Sequence, residues 1–505
     1  MCCSRSRYGC GSLHSIVLGL LCWGAMGESP LWADWPQWRG ANRDGYAESS
    51  KLIRDLPAAG LPPVWEFADF EGGNSGGWSS PVIADGKVYV YAHTKSKKEG
   101  DALGPAQYPW LSPEKRTGMT DAEYEAYEVR RRDENEARAK AFSFEQRVVC
   151  LDLKSGNTIW DKRTPVVYTR FVQSGTPCVA DGKLFVLGPE RTAYCYDAET
   201  GDVIWTARLP GEFRDEFFAS SFVVHADVAM VACGALVALD AADGRLLWQG
   251  QSPLDYSSHS SPVVWKLGDQ QTRADVVIAN TQGGRTEAYR IADGTLLWDL
   301  QSGAGQSTPI VTHGLLLTYG SSRKNGLSAY RLDAATPDVT PELAWRFRGA
   351  ADSGSTPAVY RDSVFVQGEK RLAKVRLEDG DTVWQTTLSI SNPRYTSLLV
   401  AGDLLYFAWD GVLCVDAASD RFRLLFDAEI DSEGRLIKSD DLRNKLNLDA
   451  IEADAGGGEA EKVWQKALTF GPLACSTPAI SDGVMLVRRR DSLVCYRLEA
   501  DDGTR

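Results

Sequence analysis

Histidine is scarce in this sequence, and two common metal-binding motifs are missing from it. The chain of 505 residues has five histidines, and those after residue 33 are scattered singly: His93, His225, His259 and His313. The absence of His-Glu-x-x-His argues against a zinc hydrolase of that type. The absence of Cys-x-x-Cys-His argues against covalently attached haem. The composition therefore favours a protein without a catalytic site.

Long hydrophobic runs are also missing. The one clear apolar run, residues 16–26, follows Arg5 and Arg7 and is too short to span a bilayer. A basic start followed by such a run is typical of a secretory signal, with cleavage after Gly27 or Ala33. We therefore predict a signal peptide at residues 1–33 and a periplasmic or cell-envelope protein, soluble after cleavage and without a transmembrane helix. Cys22 suggests a lipoprotein alternative, but Leu21 stands where a small residue is expected.

Net positive charge is lacking as well. The chain has 55 Lys and Arg against 68 Asp and Glu, a net charge of −13, which argues against nucleic acid as a partner.

Cysteine is present, but not in a disulfide pattern. Four cysteines share one repeat position that holds Ala in other units: Cys150, Cys195, Cys414 and Cys495. We interpret this position as a small buried packing site rather than a reactive one.

The sequence does contain a repeat. Residues 194–205 read Tyr-Cys-Tyr-Asp-Ala-Glu-Thr-Gly-Asp-Val-Ile-Trp, and similar segments occur at 149–160, 238–248, 288–298 and 374–384. The tryptophans that mark the repeat are 45, 43, 50, 47 and 39 residues apart: Trp160, Trp205, Trp248, Trp298, Trp345 and Trp384. A period in the forties that is built from hairpins indicates an array of propeller blades.

A second signal follows each tryptophan, a small-residue Ser/Thr-Pro step that opens the next strand. It occurs at Pro81, Pro177, Pro262, Pro309, Pro357 and Pro478, and two units at residues 219–222 and 395–398 lack the Pro. Proline suits the first residue of a strand, where it removes no ladder hydrogen bond. Counting both kinds predicts eight units, with Trp65 before the first and Trp464 before the last as the remaining two of eight tryptophans.

Each unit predicts four antiparallel strands, which we name A to D in chain order. Asp-Gly turns join strands A and B at Asp85 and join strands C and D at Asp243, for example. The last unit ends after its strand C, at residues 493–498, whereas residues 64–67 form a strand D with no unit before it. The predicted fold is therefore an all-β, eight-bladed propeller of four-stranded antiparallel blades, closed by an N-terminal strand in the last blade.

The predicted domain plan is a lead-in at residues 34–60, a propeller at 61–500 and a tail at 501–505. An insertion at about 93–146 in the first blade carries a capping box at Thr120 and Glu123, which predicts an exposed helix. A second, acidic insertion at about 427–462 is expected to be a solvated loop. Its carboxylates suggest a calcium loop, but Lys438 stands where a ligand would be needed. Strand D of the seventh unit could be residues 422–426 or 463–468.

The lead-in contains Trp35 and Trp38 and has no strand period. Packing on the outside of the first blade is the interpretation we favour. The alternative is a flap over one end of the central channel.

The loops that precede strand A, here called the mouth loops, are the candidate ligand site, because propellers present one set of such loops at the channel mouth. They combine aromatic residues with Arg, Gln and His, as a ligand or peptide site would. The alternative is that these are ordinary turn residues. The candidate contacts are Trp78, Arg170, Gln173, Phe217, Tyr256, His259, Gln306, Asp352, Arg394 and Tyr395.

The units with Asp-x-x-Thr/Ser-Gly-x-x-x-Trp, together with the Ser/Thr-Pro and Asp-Gly steps, resemble the pyrroloquinoline-quinone (PQQ)-type propeller repeat over about residues 61–498. The resemblance implies one of two branches: quinoprotein dehydrogenases, or non-catalytic propellers related to the outer-membrane assembly lipoprotein. The dehydrogenase branch carries a vicinal disulfide, a calcium set and a catalytic Asp. Here the only adjacent cysteines, Cys2 and Cys3, lie in the predicted signal, and no loop matches the calcium set.

We therefore expect a monomeric, non-catalytic, exported propeller that acts as a protein- or ligand-binding scaffold in the cell envelope, without metal or cofactor. Its partner would be an envelope protein or an extracellular ligand. The alternative is a PQQ- and calcium-dependent dehydrogenase that oxidises an alcohol or a sugar.

Overall fold

A computed structural model describes residues 34–49, 51–100, 103–212, 217–253, 259–390 and 395–499. Eight sheets form eight blades, each containing four strands paired in the order A-B-C-D. The sheet of blade 7 has six strands, because Tyr46–Ala47 pairs with its strand A and Leu436–Lys438 pairs with its strand D. The eight-bladed, all-β propeller predicted from the repeat is confirmed. The predicted signal at residues 1–33 lies outside the described residues.

Strands A and B of each blade form a hairpin near the propeller axis. Strand A contacts strand A of the next blade at most of the blade interfaces, so these short strands line the channel. In blades 1 to 8, strand A is Val82–Ala84, Cys178–Ala180, Val223–His225, Val263–Trp265, Ile310–Thr312, Ala358–Tyr360, Leu399–Ala401 and Ala479–Ser481. Strand B is Lys87–Lys97, Lys183–Gly188, Val228–Ala232, Val276–Thr281, Leu315–Tyr319, Ser363–Gly368, Leu404–Trp409 and Val484–Arg488.

Strands C and D complete each blade toward the outside. Strand C is Phe142–Asp152, Thr192–Asp197, Leu236–Asp240, Arg285–Arg290, Leu327–Arg331, Arg371–Arg376, Gly411–Asp416 and Ser492–Arg497. Strand D is Thr158–Val166, Val203–Arg208, Leu246–Gln249, Leu296–Leu300, Glu342–Phe347, Thr382–Thr387, Leu424–Ile430 and, in blade 8, Pro63–Ala68. The cysteines of the repeat position are fully buried free thiols on strand C.

The N-terminal strand closes the ring as the sequence predicts. Pro63–Ala68 pairs antiparallel with Ser492–Arg497, and Trp65 lies opposite Cys495. A second set of links runs around the axis between the Ser/Thr positions before strand A. In seven of the eight blades, the hydroxyl at this position accepts a hydrogen bond from the backbone N–H of the same position in the preceding blade. The N–H of Ser80 donates to Thr176 Oγ1 at 3.0 Å, and the N–H of Thr477 in the last blade donates to Ser80 Oγ at 2.8 Å. The Ser/Thr of the motif is thus a link between blades.

The repeated tryptophan docks each blade onto the next. Trp205 Nε1 donates to the carbonyl of Ala241 in the C–D turn of blade 3 at 3.2 Å. The indole lies so close to Gly244 of that turn that a Cβ there would be 2.6 Å from Trp205 Cε3. The same pairing of indole and turn glycine occurs at Trp65, Trp160, Trp248 and Trp345. The Trp and the Gly of the motif are therefore partners across the blade interface.

One tryptophan was assigned wrongly. Trp464 lies in a helix rather than in strand D of blade 7. Strand D of that blade is Leu424–Ile430, where Phe426 stands opposite Cys414 as the tryptophans stand opposite their strand-C partners elsewhere. Phe426 is buried and replaces the indole.

Both insertions contain helices. In blade 1 the helix α1 spans Asp121–Ala139, and Thr120 and Glu123 form the predicted capping box. The second insertion is not the solvated loop that we expected. It contains a strand, Leu436–Lys438, and the helices α2 (Ser439–Lys445), α3 (Leu448–Ala455) and α4 (Gly457–Ala467). Short 3-10 turns occur at Pro113–Arg116 and Gln282–Gly284.

The lead-in enters the channel, so the expectation that it packs outside blade 1 is wrong. Trp35 exchanges backbone hydrogen bonds with Ile83 on strand A of blade 1, and the Pro36 carbonyl accepts from Val179 of blade 2. Further along, carbonyls of the lead-in accept from Val359 and Val400 of blades 6 and 7. Residues 35–47, here called the crossing segment, therefore span the channel from one side to the other.

Two buried arginines fix the crossing segment in place. The Arg39 guanidinium donates to the carbonyls of Thr356, Pro357 and Leu398. Arg43 donates to the carbonyls of Ser221 and Phe222 in blade 3. Both side chains are almost completely buried, and burial lowers the pKa of Arg39 to about 9 and that of Arg43 to about 10. Both remain cations at neutral pH.

Candidate functional site

A cavity of about 440 Å³ lies at the end of the channel where strand A begins. Six of the ten predicted residues line it: Trp78, Arg170, Phe217, His259, Gln306 and Tyr395. We call it the upper cavity. Its remaining lining residues include Trp38, Phe171 and Cys475. The mouth loops thus bring together side chains from most of the blades around the axis.

Aromatic rings form a continuous arc along the wall of the upper cavity. The ring centroids of Phe171 and Phe217 are 5.5 Å apart, and Phe217 meets His259 edge-on at 5.3 Å. His259 in turn lies 5.5 Å from Tyr395. The Arg170 guanidinium carbon lies 5.4 Å from the Phe171 ring centroid, within cation–π distance. The wall is therefore mainly apolar, with one cation at its edge.

Trp38 connects the crossing segment to the upper cavity. It lines the cavity, whereas the neighbouring Gln37 and Arg43 line a second cavity at the other end of the channel. The crossing segment therefore separates the two cavities. Sequence reasoning had named Trp38 only as part of the lead-in, because nothing in its local pattern shows that the lead-in folds back into the axis.

His259 is the titratable residue most strongly affected in the upper cavity. Burial lowers the pKa of its imidazole to about 4, so the ring is neutral at pH 7. Its Nε2 atom and the Oε1 atom of Gln306 are buried and have no hydrogen-bond partner within the described part of the chain. Unpaired buried polar atoms are unfavourable. A ligand donor would satisfy Gln306 Oε1, and a ligand donor or acceptor would satisfy His259 Nε2, according to which ring nitrogen carries the proton.

Two predicted residues shape the loops instead of lining the cavity. The Gln173 side chain accepts a hydrogen bond from the Phe218 N–H at 2.8 Å, and its own backbone N–H donates to His93 Nδ1 at 2.9 Å. Asp352 Oδ1 accepts from the N–H groups of Gly354 and Ser355, as a turn-capping carboxylate does. The other two predicted residues, Tyr256 and Arg394, lie outside the described residues.

Cys475 was missed because sequence reasoning did not include the mouth loop of blade 8. It stands directly before the Ser-Thr-Pro step of that blade and lines the upper cavity. Burial raises the pKa of its thiol to about 11. The thiol is therefore protonated at neutral pH and is a poor nucleophile.

No group of three or more His, Cys, Asp and Glu residues suited to a metal ion occurs among the residues that the structure describes. In the second insertion Asp431 pairs with Arg435 at 2.9 Å, and Lys438 pairs with Asp55 at 3.0 Å. These two carboxylates of the structure are therefore engaged by basic side chains. Across the same described ranges, none of the helices is long and apolar enough to cross a membrane.

A family model described as outer membrane protein assembly factor BamB matches residues 145–386 and 282–441, together more than half of the chain. No curated protein matches the sequence. Among solved structures, the chain is similar to a europium-containing methanol dehydrogenase at 14% identity and a TM-score of 0.55, covering 92% of this chain and 98% of that one.

Two further structures are similar to the chain. BamB from Moraxella catarrhalis is 13% identical with a TM-score of 0.46, covering 69% of this chain and 91% of that one. A quinohemoprotein alcohol dehydrogenase from Pseudomonas putida HK5 is 14% identical with a TM-score of 0.40, covering 94% of this chain and 81% of that one. At such identities, structural likeness indicates a shared fold and nothing about activity.

Proposed function

This chain belongs to the PQQ-like β-propeller family whose model is described as outer membrane protein assembly factor BamB, and from that premise we propose that it is a non-catalytic binding scaffold. It would be exported to the cell envelope and would bind an envelope protein or an extracellular ligand at the upper cavity. The name of the family model, a factor in the assembly of outer membrane proteins, supports a role in binding other proteins.

The upper cavity is the observation that carries this proposal. Its aromatic arc of Phe171, Phe217, His259 and Tyr395 offers an apolar surface, and Trp38 closes it below. Recognition sites commonly combine such a concave apolar wall with a few polar groups that fix orientation. Arg170, His259 Nε2 and Gln306 Oε1 supply those polar groups. An apolar or aromatic side chain from a partner would fit this arrangement.

The proposal is tested with two matched phenylalanines. Phe171 lines the cavity and is 47% exposed, whereas Phe470 is 46% exposed and lies outside the cavity lining. Immobilised wild-type protein, Phe171→Ala and Phe470→Ala would each be incubated with envelope extract, and bound proteins quantified by mass spectrometry. We expect one set of partners to be retained by wild type and Phe470→Ala but depleted with Phe171→Ala. Equal recovery by all three would contradict the proposal.

The insertion of blade 1 is a second part of the proposed binding surface, because Glu128 on its helix α1 lies within electrostatic reach of Arg170 at the edge of the upper cavity. Burial raises the pKa of Glu128 on α1, but pairing with Arg131 and the charge of Arg170 lower it overall. Arg170 therefore links α1 electrostatically to the cavity edge. Replacing residues 98–141 by a short turn tests this role in the same assay. An unchanged list of partners would show that the insertion is not a docking element.

A quinoprotein dehydrogenase is the second candidate, and the aromatic walls with Arg170 favour it in one respect. PQQ is a flat tricarboxylate, which such walls and a guanidinium could hold. The residues of the upper cavity fit a calcium ion less well. Asp352 Oδ1 accepts hydrogen bonds from backbone N–H groups, and no cluster of metal-binding side chains occurs among the described residues. Titration of the protein with PQQ and Ca²⁺, followed by dye-linked alcohol and sugar oxidation, tests this candidate. Saturable quinone binding with turnover would favour it over the scaffold.

A further inference from the structure

A polar pocket lies between blades 4 and 5, at the end of the blades that carries the mouth loops. Strands B and D of a blade run in the same direction, so the loops that follow them lie at the same end. The pocket has a volume of about 500 Å³ and is lined by the B–C turns of both blades and by the first residues of the mouth loop of blade 5. We call it the turn pocket. It shares no lining residue with the upper cavity.

The blade 4 side of the turn pocket is held in a fixed conformation. Gln301 Nε2 donates to the carbonyls of Gly283 and Gly284 at 2.9 and 3.2 Å, and the Gly303 N–H donates to the Gly284 carbonyl at 2.7 Å. The loops approach so closely that a Cβ at Gly303 would be 2.6 Å from Asn325 Cγ of blade 5. Glycine is therefore needed here for the loops to pack around the pocket.

The blade 5 side supplies two cations and an amide. Arg346 Nε donates to Ser328 Oγ at 2.8 Å, and this hydroxyl donates to the Asn325 carbonyl at 3.1 Å, so the guanidinium is oriented by its own blade. Its two Nη groups, the Lys324 ammonium and the Asn325 side-chain amide form no hydrogen bond with any described residue. These groups are available to a ligand, and the fixed loops lower the entropic cost of binding one.

The charges around the turn pocket favour an anion. The two cations that line it differ from the arginines beside it, because Arg285 pairs with Asp299 and Arg323 pairs with Glu369. Those carboxylates are already neutralised, and within the described ranges no carboxylate lines the pocket. A chain with a net charge of −13 has many carboxylates that could pair with a cation. Two lining cations without such a partner therefore point to an external anion.

We propose that the turn pocket binds the phosphate monoester group of a small polar molecule. Such a group carries a charge of about −1.5 to −2 at pH 7 and three strong acceptor oxygens. These match the charges of Lys324 and Arg346 and the donor of the Asn325 amide. A guanidinium can also donate two parallel hydrogen bonds to a phosphate group. A carboxylate, with one charge and two oxygens, would leave part of the site unpaired.

The lining also indicates the rest of the ligand. The pocket is larger than one phosphate group, and its remaining wall consists of backbone and of short side chains such as Ser302, Ala304 and Ser321. No aromatic ring lines it in the part of the chain that the structure describes, so a nucleobase would find no stacking surface. A hydroxylated body such as glycerol or a sugar fits better. This site is independent of the function proposed for the upper cavity.

Glycerol 3-phosphate is a suitable probe, because glycerol has the same body without charge and glycerate replaces the phosphate by a carboxylate. Binding of each compound to the full chain would be measured by calorimetry at low ionic strength. We expect saturable binding of glycerol 3-phosphate, with glycerate weaker by about tenfold or more and glycerol not binding. Added salt should weaken the binding, since Lys324 is exposed. Absence of saturable glycerol 3-phosphate binding, or equal binding of glycerate, would overturn the proposal.

Variants locate the binding to the turn pocket. Lys324→Gln and Arg346→Gln should each weaken glycerol 3-phosphate binding by about tenfold, the loss expected for a hydrogen bond to a charged group. Arg331→Gln, at an exposed arginine of blade 5 outside the pocket lining, and Arg170→Gln in the upper cavity should leave binding unchanged. Circular dichroism would verify folding, and Lys324 lies on an exposed turn whose replacement should not disturb it. Binding that is insensitive to Lys324→Gln, or lost in Arg170→Gln, would place the ligand elsewhere and overturn the assignment.

The same chemical group occurs in soluble phosphate esters and in a lipid headgroup. Phosphatidylcholine vesicles with and without phosphatidic acid, which carries a phosphate monoester, distinguish the two sources by co-sedimentation. Retention of wild type, but not of Lys324→Gln, by the phosphatidic acid vesicles would support the pocket and identify a lipid headgroup. Saturable glycerol 3-phosphate binding without retention on either vesicle would support the pocket and identify a soluble ester.

Discussion

At the scale of single residues, the turn glycine of the repeat has two separate reasons to be glycine. Gly244 has a φ of +75°, in the left-handed region that disfavours other residues, and it also lies against the Trp205 indole. Gly182, in the A–B turn of blade 2, has a φ of +70°, but a Cβ at this position would meet no atom within 4 Å. At both positions the backbone conformation would strain any residue other than glycine. Only at Gly244 would a Cβ also collide with a neighbouring side chain.

This difference yields a prediction. Gly182→Ala should lower the free energy of unfolding by about 1 kcal/mol, because it introduces backbone strain alone. Gly244→Ala should lower it by about 2–4 kcal/mol, because the added methyl group must also displace a buried indole. Urea denaturation followed by circular dichroism measures both. Equal losses in the two variants would show that the indole contact contributes nothing.

Glu429 is a residue whose charge is unfavourable in the folded protein. Burial and the neighbouring carboxylates of Asp427 and Asp410 raise its pKa to about 7, from an ordinary value of 4.5. A carboxyl whose pKa is raised on folding stabilises the native state below its unfolded pKa. That contribution is lost as the pH rises from 4.5 through 7.

Glu429→Gln should therefore have a pH-dependent effect. The variant cannot ionise, so its thermal midpoint should exceed that of wild type increasingly between pH 4.5 and 7, with a constant difference above pH 7. Glu433→Gln, at a carboxylate of the same insertion that is 66% exposed and pairs with Arg435, serves as the control for the loss of a surface charge. A difference for Glu429→Gln that does not change with pH would contradict the prediction.

At the scale of elements, the crossing segment depends on its arginines, because it has little regular structure of its own. Its only strand is Tyr46–Ala47, which pairs in parallel with strand A of blade 7. The Arg39 guanidinium satisfies three buried carbonyls in blades 6 and 7. Removing it leaves those acceptors without partners in a region closed to solvent.

Arg39→Leu should thus destabilise the protein by about 2–4 kcal/mol, the cost of leaving buried acceptors unpaired. Arg245→Leu is the matched control, since Arg245 is an exposed arginine on a C–D turn and should change stability by less than about 0.5 kcal/mol. Chemical denaturation measures the stability, and hydrogen exchange of residues 35–47 reports whether the segment loosens. If Arg39→Leu leaves the stability unchanged, the backbone hydrogen bonds alone hold the crossing segment.

The elements differ in how far the sequence predicts them. Hairpins of blades 1 to 6 follow from Asp-Gly turns and the Trp position, because those signals act within a few residues. The second insertion was not recognised as helical, since its helices lack Ser/Thr capping boxes and begin at Ser439, Leu448 and Gly457. Trp464 was counted as a repeat tryptophan, because the sequence alone does not distinguish a tryptophan on a helix from one on strand D. The difference depends on whether a neighbouring blade packs against the indole.

At the scale of the whole molecule, the sequence predicts the fold but only part of the candidate site. The number of blades and the ring closure follow from a repeat that every unit carries. The mouth residues Trp78, Arg170 and Phe217 were predicted for the same reason, since each precedes a strand A. The position of Trp38 and the second cavity at the other end of the channel depend on where a segment without periodicity runs after the ring has closed. That path is set by long-range contacts with blades 6 and 7, which no local pattern records.

The closed ring leads to a last prediction, which compares two equivalent tryptophans. Trp65 and Trp248 are each 8% exposed and each donate an indole hydrogen bond of 2.8 Å to the next blade. Truncation of either to Ala should cost about 3–5 kcal/mol. Trp248 belongs to a blade formed by one continuous stretch of chain. Trp65 belongs to the blade whose fourth strand comes from the opposite end of the sequence.

The two variants should consequently differ in local opening although their global destabilisation is the same. In Trp65→Ala, strand Pro63–Ala68 can leave blade 8 without unfolding the rest, so amides of Ser492–Arg497 should exchange faster than in wild type. In Trp248→Ala, the covalent turn at Asp243 and Gly244 keeps strand D beside Leu236–Asp240, whose exchange should change less. The exposed edge in Trp65→Ala should also promote self-association, measurable by light scattering. Equal exchange at both sites would show that the Ser80–Thr477 link, rather than Trp65, holds the ring closed.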